Sequence, residues 1–173
     1  MSTVQDTILS RRSVKAYKPD AVPKELIDRV IEAGLYAANG RNWQSSIVIA
    51  VTDKTMRDRL SAMNAAIMGK TDFDPFYGAP VVLVVLGDKQ FPTHVYDGSL
   101  MLGNMMLAAH DLGLGSCWIH RAKEEFESEE GKEILRSLGI EGDYEGIGHL
   151  ILGYAATEPK AAPPRRPGRV YEI

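Results

Sequence analysis

Val81-Val82-Leu83-Val84-Val85-Leu86 is apolar without a break, which predicts a strand covered on both faces at the centre of a sheet. Three further runs read as strands: the β-branched 47–51, the short Ser116-Cys117-Trp118-Ile119, and 148–154. Elsewhere the apolar positions recur at helical spacing. Val4, Ile8 and Leu9 share one face of a short first helix, and Ser2-Thr3-Val4-Gln5 has the form of its capped start. Leu26, Ile27, Val30, Ile31 and Leu35 form a 3.6-residue stripe behind Pro23, which suits a first turn. Asp53 caps a third helix expected to reach Met68. Residues 100–114 carry Leu100, Met101, Leu102, Met105, Met106, Leu107, Ala108, Ala109 and Leu112. So apolar a girth predicts a long helix buried nearly all round, inside the domain or against a partner chain. An acidic helix is expected over 124–138, closed by Gly139.

Breakers fall between these segments: Tyr17-Lys18-Pro19, Asn39-Gly40, and an aromatic loop over 69–80 with Phe73, Phe76 and Tyr77. Helices interleaved with four or five strands make an α/β or α+β fold. At 173 residues, one domain spanning 1–173 is expected, with an extended Pro-rich tail over 156–173. Hydrophobic content of 45% and charged content of 25% are those of a soluble globular protein. A net charge of -3 argues against nucleic acid or an anionic membrane as the main partner. Cys117 is the only cysteine, which excludes an intrachain disulfide and a cysteine-based metal site, and no histidines show ligand spacing. With no signal pattern and no membrane-spanning apolar run, a cytoplasmic protein is expected.

Charge concentrates in Ser10-Arg11-Arg12-Ser13-Val14-Lys15, just after an apolar turn. Arginine's rigid fork, a lysine point charge and serine hydroxyls suit a phosphate; the same run also suits a solvated helix end. No nucleophile elbow, phosphate-binding loop or dinucleotide fingerprint is present. Cys117, beside Trp118 in an apolar strand, reads as core, and the Met-rich helix reads as packing. What remains are scattered binding groups: the basic run, the loop from Asn39 to Gln44, the turn Gly113-Leu114-Gly115-Ser116-Cys117-Trp118, and Arg165-Arg166. That pattern suits a protein whose cofactor performs the chemistry while the polypeptide positions it.

Arg11-Arg12-Ser13-Val14-Lys15-Ala16-Tyr17 resembles the Arg-Arg-Ser opening of the nitroreductase family of flavoproteins. Asn39, Asn42 and Gln44 are similar to that family's Asn-x-Gln loop, although Ser45 stands where a proline commonly follows the glutamine. Asp97 leading into the Met-rich helix, the Gly-Leu-Gly-Ser-Cys-Trp turn, and Gly153-Tyr154 with Pro159 and Arg165-Arg166-Pro167 resemble the family's later segments, in order.

The resemblance implies an α+β fold, with a central, mostly antiparallel sheet flanked by helices and a long buried central helix. It implies FMN and a homodimer with the flavin at the subunit interface. Arg11 and Ser13 would take the phosphate or ribityl chain, with Arg12 adding backbone or a second phosphate contact. Lys15 would sit at the N1–C2 carbonyl edge, where negative charge collects on reduction. Asn42 and Gln44 would hydrogen-bond the ring or ribityl chain. Asn64 would contact the ring, although the lysine that often follows it is Ala65 here. Ile119, His120 and Arg121 would reach N5 and O4 through backbone N–H groups; the side chains of His120 and Arg121 replace a Glu-Gly of some members, so only the backbone role transfers. Arg165 and Arg166 would close over the phosphate from the other subunit. The implied activity passes hydride from NAD(P)H through the flavin to a nitroaromatic, quinone or similar acceptor by a ping-pong mechanism. Reductive dehalogenation, dehydrogenation, or non-catalytic flavin sensing or storage remain as alternatives.

Overall fold

The computed structural model describes residues 3–173. In chain order the elements are α1 (Val4–Ser10), α2 (Lys24–Leu35), a 3₁₀ turn (Gly40–Asn42), β1 (Ser46–Val51), α3 (Lys54–Ile67), β2 (Val81–Asp88), α4 (His94–Asp111), β3 (Gly115–Ile119), α5 (Ala122–Glu127), α6 (Glu129–Ser137) and β4 (Tyr144–Gly153). The strands form one sheet in the order β1-β2-β4-β3, antiparallel at every pairing. That makes the fold α+β rather than α/β.

The unbroken apolar run of β2 is explained by its two covers. Val81, Leu83 and Val85 pack on α2 and α4 with Val30, Met101, Leu102 and Met105. Val82, Val84 and Leu86 point the other way, toward Leu60 of α3, Phe126 of α5 and Ile134 of α6. Alternation at period two thus builds a core on each side of one sheet. Helix α2 comes close to α4 at Gly34, where a Cβ would stand 2.6 Å from the Met105 side chain. The free edge of β3 is screened by the strip 11–17. Ser13 bridges to Ser116, and the Val14 N–H donates to the Ser116 carbonyl at 3.0 Å.

Several boundaries differ from the expectation. Ser2 lies outside the described residues; Thr3 is the N-cap of α1, in a capping box with Asp6 instead of one involving Gln5. The apolar face of α1 (Val4, Ile8, Leu9) and the last stripe residue of α2, Leu35, are exposed. Helix α4 starts at His94, well before Leu100, because its first turns carry no inward stripe: Val95 and Tyr96 are exposed. Met101, Leu102, Met105 and Ala109 are buried, while Leu100 on the opposite side is half exposed in the single chain. The acidic helix is two helices, since Ser128 is extended and its hydroxyl caps α6 by accepting from the Gly131 N–H at 3.0 Å. Strand β4 begins at Tyr144 instead of Gly148; Gly146 and Gly148 hide its first half from a propensity reading.

Candidate functional site

The basic run lies along the Gly115 end of β3. Because the strip is extended there, Val14 turns inward and is buried, while Ser13 and Lys15 face out together. Tyr17 fastens the strip: its hydroxyl donates to the Val14 carbonyl at 2.8 Å. Burial, with the Cys117 thiol adding to it, pushes that phenol far above its ordinary range, so it stays a proton-bearing donor.

Two clefts open on either side of the strip. One, of about 210 Å³, is lined by Arg11, Arg12, His110, Ser116 and Pro159. Arg12 Nη1 donates to the carbonyls of Leu9 (2.8 Å) and Arg11 (2.6 Å), but Arg11 Nη1 and Arg12 Nε are buried with no hydrogen-bond partner. Unpaired buried guanidinium nitrogens are unfavourable, and a phosphate is the kind of group that satisfies them. Ser10 Oγ and His110 Nε2, 2.7 Å apart, tie the Ser10 end of α1 to α4 beside this cleft.

The second cleft, about 360 Å³, is bordered by Ser13, Lys15, Tyr77, Trp118, His120 and Arg121. Its aromatic wall is the loop 69–80. Phe73 and Tyr77 meet edge to face at 5.9 Å, and the Lys15 Nζ lies 5.5 Å from the Tyr77 ring centre. Tyr77 has a φ of 51°, a strained value for a bulky residue. Asp74 holds it there by accepting from the Arg57 guanidinium (2.5 Å), the Ser61 hydroxyl (2.6 Å) and the N–H groups of Phe76 (2.9 Å) and Gly78 (2.7 Å). Burial alone would raise the Asp74 carboxyl, but these donors outweigh it and hold it below the usual carboxylate range.

The opposite wall is the turn from β3 into α5. Arg121 has a φ of 80°. Asn64, fully buried, sits behind this turn and outside the cleft lining; its Nδ2 donates to the His120 carbonyl at 2.8 Å and to the Glu125 carboxylate. Glu125 Oε2 is in turn 3.0 Å from His149 Nε2, with both side chains fully buried.

Asn42 and Gln44 are elsewhere. Their loop enters β1 at Ser46, which pairs with Gly87 at the far end of β2, whereas Arg11 to Lys15 lie by Gly115 and Ser116 at the other end of β3. Since β1 and β3 are the two edge strands, the two groups occupy diagonally opposite corners of the sheet. Asp97 at the start of α4 accepts from the Gly40 N–H (3.0 Å), Ser45 Oγ (3.0 Å) and Thr93 Oγ1 (2.9 Å), fixing that loop. Gln44 Nε2 donates to Asn42 Oδ1 at 3.3 Å. Arg165 and Arg166 are exposed on the tail, and Arg165 Nη2 donates back to the Pro163 carbonyl at 2.5 Å.

A single chain therefore gathers Arg11, Arg12, Ser13, Lys15, Ile119, His120 and Arg121, places Asn64 just behind them, and leaves Asn42, Gln44, Arg165 and Arg166 apart. Asp74, Glu125 and His149 were missed from sequence, while Asp97 was read only as the lead into the Met-rich helix. Only His149, a polar residue inside an apolar strand, carried a visible signal. A cleft of about 400 Å³ between Lys89 and Arg136 lies away from this region, and Lys89 and Lys132 there are paired with Asp143 (2.7 Å) and Glu129 (2.9 Å). Among the described residues no helix is long and apolar enough to cross a membrane.

Residues 8–154 match the model of the nitroreductase family. A Methanothermobacter thermautotrophicus protein, named as a candidate NADH dehydrogenase/NAD(P)H nitroreductase, is 28% identical over 97% of this chain and 85% of its own length. An FMN reductase [NAD(P)H] of Bacillus subtilis is 25% identical over 96% of this chain and 71% of its own. The crystal structure of a Bacteroides fragilis nitroreductase with bound FMN covers the whole of both chains with a TM-score of 0.90 at 26% identity.

Proposed function

The chain belongs to the nitroreductase family, and from that premise we propose that it is an NAD(P)H-dependent FMN oxidoreductase whose acceptors are nitroaromatics, quinones or similar flat molecules. The observation that carries this reading is the pair of buried, unpartnered guanidinium nitrogens on Arg11 and Arg12, next to a cleft with an aromatic wall and a lysine. A phosphate fits the first cleft and a planar ring the second, as FMN requires. When bound, FMN supplies two-electron chemistry, taking hydride from the nicotinamide and giving it to an acceptor.

The chain's own residues do the rest. Arg11, Arg12 and Ser13 hold the phosphate and ribityl end through charge-assisted bonds. Lys15, whose Nζ lies 5.5 Å from the Tyr77 ring centre, would place a cation beside the ring edge that gains negative charge on reduction. The turn at Ile119, His120 and Arg121 offers backbone donors at the opposite wall. Phe73 and Tyr77 exclude water from one side of the cleft. No protein nucleophile is needed, so nicotinamide and acceptor use the same open face in turn.

The unit is a homodimer in this reading. Asn42 and Gln44 stand at the corner diagonal to the basic strip, so only a second copy brings them to the same flavin. Exposed apolar residues on α1, just past the end of α2 and on α4 (Val4, Leu9, Tyr36, Tyr96, Leu100) supply the surface for it. The exposed tail 156–173 carries Arg165 and Arg166 to the partner's phosphate site, and the domain 1–173 works in the cytoplasm.

The test is the absorption spectrum of the purified protein, followed by NAD(P)H consumption with and without menadione or nitrofurazone. A yellow dimer with acceptor-dependent turnover and parallel-line kinetics is expected. A yellow protein that consumes no NAD(P)H would be a flavin binder only, and a colourless monomer that ignores added FMN refutes the reading.

A further inference from the structure

Asn64, Glu125 and His149 are all fully buried, and they come from three different elements: the C-terminal half of α3, α5, and the middle of β4. Burying an acid with a histidine rarely adds stability over apolar packing of the same volume, so such a group invites a search for what it orients. Here it ends on one peptide. Asn64 Nδ2 donates to the His120 carbonyl at 2.8 Å and, with the same nitrogen, to Glu125. Glu125 Oε2 in turn lies 3.0 Å from His149 Nε2, an ion-pair distance without hydrogen-bond geometry. Among the described residues no peptide bond is cis. In a trans peptide the N–H points opposite to the C=O. With the His120 carbonyl drawn inward to Asn64, the Arg121 N–H is turned outward, on the side of the cleft that Arg121 borders.

Two further observations agree. Arg121 adopts a φ of 80°, a conformation that a non-glycine residue keeps only when its surroundings over-determine it. The other side of the turn is clamped too, since a Cβ at Gly146 would stand 2.1 Å from the Ala122 carbonyl.

We propose that Asn64, braced by Glu125 and His149, is a positioning residue that locks the His120–Arg121 peptide so that its N–H is a fixed hydrogen-bond donor at the ring cleft. This rests on the flavin reading above for what the donor meets. It assigns Asn64 a different task from direct ring contact, and it gives the buried Glu125–His149 pair a role.

The experiment uses the full-length protein, with FMN and stripped of it. It compares Asn64→Ala, Glu125→Gln, Glu125→Ala, Arg121→Gly and the Asn64→Ala/Arg121→Gly double variant. The readouts are hydrogen exchange at the Arg121 amide, FMN affinity and flavin midpoint potential. Asn64→Ala is expected to speed Arg121 exchange and weaken FMN binding by about tenfold each, the scale of one lost hydrogen bond, while β2 amides keep their protection. Glu125→Gln still offers Asn64 an oxygen, so it stays near wild type; Glu125→Ala follows Asn64→Ala. Glycine takes a positive φ without strain, so Arg121→Gly restores part of the affinity lost in Asn64→Ala.

The proposal is overturned if Asn64→Ala leaves the Arg121 amide and the potential unchanged. It is also overturned if the variants lower protection everywhere, with no rescue at position 121 and no difference between Glu125→Gln and Glu125→Ala. Should Asn64→Ala fail to fold, the Glu125 pair decides alone. If wild type takes up no FMN yet Asn64→Ala still frees the Arg121 amide, the flavin reading fails and the positioning stands.

Discussion

Asp97→Ala tests how the loop 39–45 is held. The Asp97 side chain is only 4% exposed and accepts from the Gly40 N–H, Ser45 Oγ and Thr93 Oγ1. A hydrogen bond to a charged acceptor contributes about 1.5–3 kcal/mol, but such bonds are not additive. Thr93 is half-buried and can turn to water, whereas Ser45 is buried and cannot. A net loss of about 3–4 kcal/mol follows, a large share of a domain's marginal stability of about 5–15 kcal/mol. At about 2–4 °C per kcal/mol for a chain of this size, the melting temperature should fall by about 10 °C. Asp97→Asn keeps the volume and one acceptor, and both hydroxyls can rotate to accept from its amide, so it should lose only about 1–2 kcal/mol. Urea melts followed by circular dichroism give these values. The loop also contains three residues at positive φ, Arg41 (48°), Asn42 (57°) and Gln44 (50°). Each left-handed non-glycine residue is unfavourable by about 1–2 kcal/mol, so without its anchor the loop relaxes. FMN titration should therefore show about tenfold weaker binding in Asp97→Ala. A stability loss under about 1 kcal/mol would refute the anchoring, given those magnitudes. A full stability loss with unchanged FMN affinity would detach Asn42 and Gln44 from the flavin.

Lys15→Ala should lower the flavin midpoint potential by about 30 mV, equivalent to about 1.4 kcal/mol over two electrons, as read by dye-coupled reduction. An unchanged potential removes Lys15 from the ring's neighbourhood. Arg11→Ala should erase the preference for FMN over riboflavin, weakening FMN about tenfold or more in fluorescence titrations while leaving riboflavin alone; equal loss for both would place the phosphate elsewhere. Arg165→Ala/Arg166→Ala should slow nothing in the apoprotein but shorten FMN retention on dialysis. Asp74→Asn should destabilise the protein at pH 7. Because the folded carboxyl lies below its unfolded value of about 4, its stabilisation is complete above that pH and lost as pH falls through the lower folded value. The gap between wild type and Asp74→Asn in thermal melts should therefore close below about pH 4, and a gap that stays constant contradicts the Arg57–Asp74 account.

What could be read from sequence follows from which forces leave a periodic mark. Burial does. The β2 run, the α2 stripe and the Met-rich segment announced themselves because every second or every third to fourth side chain meets the core. Residues that lack such a mark were misplaced. The first turns of α4 expose Val95 and Tyr96, so the pattern began only at Leu100. The glycines of β4 break the propensity signal, yet Gly146 is required for the approach of α5. The split at Ser128 is one hydroxyl acting as a cap inside an otherwise helical acidic run. For the site, basic side chains next to each other in sequence were visible, because adjacency survives folding. The buried polar partners were not, because Glu125 in an acidic helix looks like any solvated glutamate until α3 and β4 are seen beside it.

Motif order also hides geometry. Read along the chain, the basic strip, the Asn-Gly loop and the β3 turn line up as parts of one ligand site. An antiparallel sheet of order β1-β2-β4-β3 prevents that within one copy, because the loop before β1 and the strip beside β3 sit on opposite edges and opposite ends. Three strand spacings of about 4.8 Å, together with the diagonal offset, exceed what Asn42 or Gln44 can span with a side chain. Each corner is nevertheless built with care: Asp97 locks one, while Tyr17 and the Asn64 network lock the other. In the proposed homodimer a two-fold axis would bring each corner to its opposite, joining two half-sites that cannot meet in one chain. The apolar residues left uncovered on α1, α2 and α4 are what such an axis would bury, so the proposed dimer would account for both the divided site and the exposure of those helices.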